Sequence, residues 1–224
     1  LAVYATSMNF TILEISVVTF LLAVSGAIAQ FPIGKISDRY DRRKVIVYST
    51  FGAAIFSIFA ILVSRQMYLP GELATSKTWF YIFFILFSFC SLPMFSLILA
   101  HTNDYISKDK FVAAGAGLQF AFGLGAMSGP FLCSIFMDLV GSNGFFVFLF
   151  FFHSIIGFFG IYRMRVRQTV DNPDSQFVAM PQTITPAGIE LNPTTEHIEE
   201  PYSDKVKEIL ERKGVKYKKE EVEI

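Results

Sequence analysis

Gly34-Lys35-Ile36-Ser37-Asp38-Arg39-Tyr40-Asp41-Arg42-Arg43-Lys44 decides how the chain is read. Long apolar blocks flank it, 16–34 before and 45–64 after. The run holds five bases, Lys35, Arg39, Arg42, Arg43 and Lys44, and two carboxylates, Asp38 and Asp41. A helix needs about 20 predominantly apolar residues to cross the hydrocarbon core, and each flanking block is close to that length. The charged run is therefore a short loop between two membrane spans, and its bases place it on the cytoplasmic side. On charge alone the loop is either a topological anchor or a working part. A glycine at a span's end admits a neighbouring backbone. A carboxylate there stabilises a helix N-terminus or pairs with an arginine. Contacts of that kind break and reform, which suits a gate.

Three further apolar blocks follow, at 78–100, 112–138 and 143–162. They are continuous and not alternating, so they predict helices and not barrel strands. The composition agrees: 53% hydrophobic, 17% charged and a mean hydropathy of +0.48 describe a chain more apolar than a soluble domain. A net charge of zero provides no basic field, and no nucleic-acid partner is expected. The loops alternate in charge. Residues 101–111 carry Lys108 and Lys110, and the chain leaves its last span through Arg163, Arg165 and Arg167. One opposite loop holds Arg65 and Lys77, and the other holds no base. This puts 35–44, 101–111 and the C-terminus in the cytoplasm. Residues 6–15 then lie outside, and residues 1–5 read as the end of a further, truncated span.

Cys90 and Cys133 lie inside apolar blocks and read as small hydrophobes, not as a disulfide or metal site. No metal-ligand spacing, nucleophile–base pair or phosphate loop is visible, so neither a cofactor nor catalysis is expected.

The charged run resembles the loop signature of the major facilitator superfamily, Gly-x-Leu-Ala-Asp-Arg-x-Gly-Arg-Arg. Gly34, Asp38, Arg39, Arg42 and Arg43 match it; Ile36 and Ser37 are mild substitutions, and Asp41 departs from the second glycine. The longer string from Ala29-Gln30-Phe31-Pro32-Ile33-Gly34 to Arg43 is similar to the copy of this loop in the second half of the fold. It looks most like the bacterial YcaD-like branch, where the loop joins spans eight and nine. His101 to Lys110 resembles the loop between spans ten and eleven, and Gly123 to Pro130 resembles the Gly-Pro segment after it.

The resemblance covers about residues 1–165. It implies an all-α membrane protein, the C-terminal six-helix half of a twelve-span fold, in the bacterial inner membrane. Residues 1–5 would end span seven, and 16–164 would hold spans eight to twelve. The implied function is secondary active transport of a small solute by alternating access, with the substrate near the midplane between two halves. The implied partners are the lipid bilayer, a missing N-terminal six-helix half, an unidentified small solute and a coupling ion or proton. The Asp38/Arg42 loop would help close a cytoplasmic gate against the missing half.

The fourth block contains Gly115, Gly117, Gly123, Gly125 and Gly129. Gly125 and Gly129 stand four apart and share a face suited to close packing. Pro130 lacks an N–H and would loosen the helix. Gating and static packing are equal readings of these three. Polar residues within spans are candidate substrate contacts. Gln119 leads, with a helix–helix hydrogen bond as its alternative, and Ser25, Gln30, Ser88 and Ser91 follow. His153 reads as a packed neutral side chain, because the family's twelfth span is peripheral. No Asp, Glu, Lys or Arg lies centrally in any span. A coupling carboxylate would then belong to the missing half, and Glu14 and Asp138 could serve only an outer gate.

The tail carries more than half of all charged residues. Residues 165–202, with Pro173, Pro181, Pro186, Pro193 and Pro201, read as a disordered linker. Residues 203–224 read as a short amphipathic helix, 203–213, with a charged end. Ser203 would cap it, Gly214 would stop it, and Val206, Ile209 and Leu210 would share its apolar face. A membrane scaffold or sensor signalling through this tail is the competing function; a membrane enzyme is a third.

Overall fold

The computed structural model describes residues 1–66, 73–107, 110–167 and 177–180. All regular structure among them is helical: α1 Ala2–Ser7, α2 Ile12–Arg39, α3 Arg42–Gln66, α4 Leu73–Ser91, α5 Met94–Asn103, α6 Phe111–Val140 and α7 Gly144–Val166. Among the described residues, five stretches are long and apolar enough to cross a membrane: Ile12–Arg39, Arg42–Arg65, Ser76–Asn103, Phe111–Val140 and Gly144–Val166. This is the all-α architecture expected of one half of the resembled fold.

Local chemistry sets the ends of the helices. The α2 helix begins at Ile12, ahead of its apolar block, because a capping box starts it. Thr11 Oγ1 accepts from the Glu14 N–H at 3.3 Å, and the Thr11 N–H donates to Glu14 Oε2 at 2.7 Å. It then continues to Arg39, so Asp38 and Arg39 are helical and only Tyr40 and Asp41 link α2 to α3. Asp41 caps α3 by accepting from the Arg43 N–H at 3.0 Å. The third span is two helices in line. It breaks at Leu92–Pro93, where proline supplies no N–H to the ladder. By contrast, α6 runs unbroken past Pro130. It ends at Gly141, whose φ of 77° is a conformation that favours glycine.

The α3 helix packs against both α4 and α7; α2 lies on α4, and α6 lies on α7. One core holds the aromatic stack of Tyr4, Phe80, Phe84 and Phe146. The second, made of Ala29, Ile33, Val45, Met94 and Leu97, sits toward the end carrying the charged loop, called the basic end below. At the opposite end Lys77 Nζ reaches Glu14 Oε1 at 2.7 Å and ties α4 to α2. Phe120, Leu124, Met127, Phe131 and Leu139 leave α6 with an exposed apolar surface. In lipid such a surface costs nothing, because acyl chains are as apolar as leucine.

Residues 177–180 are the described part of the expected linker. They form neither helix nor strand and lie against α2 and α5, with Met180 buried. Ser96 Oγ donates to Met180 O at 2.9 Å and accepts from Met180 N–H at 3.1 Å. Those bonds satisfy the backbone that a free linker would leave to water. The helix expected at 203–213 lies outside the described residues.

Candidate functional site

Three helix ends converge at the basic end, and Arg42 joins them. It is the first residue of α3, and its side chain is 7% exposed. Nη1 donates to Asp104 Oδ1 at 2.6 Å, just beyond α5, and to Ala100 O at 3.0 Å within α5. Nη2 donates to Asp38 Oδ1 at 3.0 Å, one turn back on α2. A guanidinium is built for this, since its planar fork serves several acceptors at fixed angles. The two carboxylates are unequal: Asp104 is 12% exposed and Asp38 is 34% exposed.

Beside Arg42, Arg43 closes on Asp41. Nε reaches Oδ1 at 3.1 Å and Nη2 reaches Oδ2 at 3.0 Å, a two-pronged pair. Burial alone would raise the Asp41 carboxyl. The Arg43 side chain and N–H, with the Arg43 and Lys44 charges, reverse this and hold it below its ordinary value. The departure from glycine at position 41 is thereby explained. Asp41 is not among the positive-φ residues, so no glycine is needed, and a carboxylate caps α3.

A cleft of about 390 Å³ opens beside this ion-pair node, lined by Ala27, Gln30, Gly34, Lys35 and Asp38 of α2 with Phe177 and Ala179. Gln30, Gly34 and Asp38, singled out in the sequence, thus share one cavity. The Phe177 ring packs on Gly34 so closely that a Cβ there would overlap it. The Phe177 N–H donates to Asp38 Oδ1 at 2.8 Å. One carboxylate therefore holds both the Arg42 node and the tail.

Arg42 has partners within this chain, besides any that the expected N-terminal half would supply. Its partners are Asp38 and Asp104, because α5 ends close enough to α3 to present Asp104. Sequence reasoning missed that role. The available signal was a carboxylate in a basic loop, but Asp109 stands in the same loop and matches it equally well. Arg39 is exposed, with no ion pair among the described residues.

Two substrate-pathway candidates make hydrogen bonds to neighbouring helices. Ser25 is buried, and its Oγ donates to Ile85 O at 2.9 Å; Ser88 returns the bond to Leu22 O at 2.7 Å. Ser91 Oγ lies 3.0 Å from His153 Nε2, whose Nδ1 lies 2.8 Å from Leu149 O. With Nδ1 protonated, both bonds are made by a neutral imidazole. Gln119 is half-buried on α6, and its Oε1 has no hydrogen-bond partner among the described residues.

Within this chain a Cβ at Gly125 or Gly129 meets nothing within 4 Å, and Pro130 is exposed. Among the glycines that a neighbour does crowd is Gly26, where a Cβ would stand 2.7 Å from Leu92 Cβ.

Comparison with known proteins places these features in a family. The profile of the Major Facilitator Superfamily matches residues 1–208. The chain is 28% identical over 160 residues to an uncharacterized MFS-type transporter of Yersinia enterocolitica. It is 26% identical to uncharacterized MFS-type transporters of Yersinia pseudotuberculosis and Yersinia pestis over the same length. These alignments cover 71% of the chain and 37% of the relatives, so the chain spans little more than a third of their length. No solved structure matches it significantly.

Proposed function

Because this chain belongs to the Major Facilitator Superfamily, we propose that it forms the C-terminal half of a twelve-span secondary transporter, moving a small solute by alternating access. The basic end faces the cytoplasm of a bacterial inner membrane in this reading, supported by Arg39, Arg43, Lys110, Arg163 and Arg165 gathered there. The YcaD-like branch is the finer assignment, supported by the run from Ala29 to Arg43.

Arg42 carries the reading. A gate must hold three helix ends together and still release one of them. The buried Asp104 arm is the lasting attachment of α3 to α5. The Asp38 arm is more exposed, so water and other donors compete for it, and it is the arm that opens. Its release frees the end of α2 and widens the cleft along Ala27, Gln30 and Gly34.

The test needs no known substrate. Ala27, exposed in the cleft, is changed to cysteine in the intact protein, and its labelling by a membrane-impermeant maleimide is timed in inside-out vesicles. Asp38→Asn should speed labelling several-fold. An unchanged rate rejects Asp38 as a gate arm. The Phe177 bond to Asp38 favours a second reading, in which the tail governs this end. Deleting 168–224 should then also speed labelling, and no change removes that reading.

A further inference from the structure

A second cavity at the basic end, about 230 Å³, lies between the ends of α3, α5 and α7. Arg43, His101, Tyr105, Arg163 and Arg167 line it. We propose that this cup binds the phosphate of an anionic phospholipid headgroup. The inference does not depend on transport, and its walls belong wholly to this chain.

The charge balance comes first. Arg43 is neutralised by Asp41. Arg163 and Arg167 are exposed and have no carboxylate within ion-pair distance among the described residues. The cup therefore holds an excess of about two positive charges, suited to a phosphodiester or phosphomonoester. Placement is equally specific. Arg163 in the last turn of α7 and Arg167 just beyond its end both line the cup, whereas Arg165, between them, does not. The Arg167 guanidinium lies 4.9 Å from the centre of the Tyr105 ring, and Arg43 Nη1 donates to Arg167 O at 2.7 Å. Both contacts fix the last turn of α7, so little order remains to be created when an anion enters.

The lipid is favoured over a soluble phosphate by what borders the cup. Phe158, Phe159, Tyr162 and Val166 expose apolar surface on the same end of α7, and Tyr48 does so near the start of α3. Acyl chains fit that surface while the headgroup reaches the arginines, and an exposed tyrosine such as Tyr162 belongs at headgroup level. Basic pockets between spans at such a surface are suited to anionic headgroups.

The intact protein, delipidated in detergent, is titrated with dioleoylphosphatidylglycerol or dioleoylphosphatidylcholine, and retained lipid is counted by native mass spectrometry. Phosphatidylglycerol should be retained preferentially by the wild type; equal retention overturns the proposal without any variant. Arg163→Gln and Arg167→Gln should each weaken retention roughly fivefold, in line with the contribution of a basic residue near an anionic surface. Arg165→Gln should leave it nearly unchanged. If R165Q weakens it as much as R163Q, the attraction is diffuse and the cup is not a site. Inorganic phosphate at millimolar concentration should not displace the lipid. Complete displacement overturns the lipid assignment in favour of a soluble anion.

Discussion

Asp104→Asn isolates the buried arm of the Arg42 node. The change keeps the shape of the side chain and removes its charge. Arg42 is 7% exposed and Asp104 is 12% exposed, so their bond is screened little by water. Removing one partner of a buried pair typically costs about 3–5 kcal/mol, because the other charge is left uncompensated. Here Arg42 keeps Asp38 and Ala100 O, so the loss is nearer that of one charged hydrogen bond, about 1.5–3 kcal/mol. Asp38→Asn breaks a pair that is a third exposed on its acidic side and should cost about 1 kcal/mol or less. The two carboxylates share one guanidinium, so the double variant should cost more than the sum of the singles. Reversible unfolding in mixed detergent micelles, followed by circular dichroism, measures all three. If Asp104→Asn lies within about 0.5 kcal/mol of wild type, or Asp38→Asn costs as much, the division into a lasting and a releasable arm is wrong.

Two further outcomes follow from the same geometry. The Asp41 carboxyl is held below its ordinary value in the folded protein, so its contribution is present above the unfolded value, about 3.9. It is lost as pH falls through the lower folded value. Asp41→Asn keeps the α3 cap and should flatten this acid-side loss; unfolding curves with the same slope below about pH 4 would show that Asp41 is not its source. Gly26→Ala should cost about 1–3 kcal/mol, because its Cβ would stand 2.7 Å from Leu92 Cβ. Gly125→Ala meets nothing within 4 Å and should cost nothing in the same unfolding assay; equal losses at the two positions would contradict the packing described for α2.

The candidate site was legible to different depths. Gln30, Gly34 and Asp38 were singled out in one stretch, and they line one cleft because consecutive turns of a helix stack on one face. Ser25 and Ser91 show what sequence leaves undecided. A polar side chain within a span looks the same in sequence whether it turns toward a pathway or a neighbouring helix. Rotation about the helix axis decides, and Ser25 turns to Ile85 while Ser91 turns to His153. Gly125 and Gly129 carry the pattern of a packing face, but no described neighbour lies there; Gly26, which has no such pattern, is crowded by Leu92.

Five spans, their helical character and the concentration of bases at one end were determined by the sequence by itself. Each depends on sums over a local window: apolar length against membrane thickness, backbone satisfaction within one helix, and charge between apolar blocks. The tertiary structure alone decided that Arg42 takes Asp104, that Asp38 also holds the Phe177 N–H, and that Arg163 and Arg167 meet Arg43 around a cup. Those meetings join residues far apart in the chain. They depend on how each helix is rotated and where it ends beside its neighbours, which the packing of every side chain in the bundle sets together.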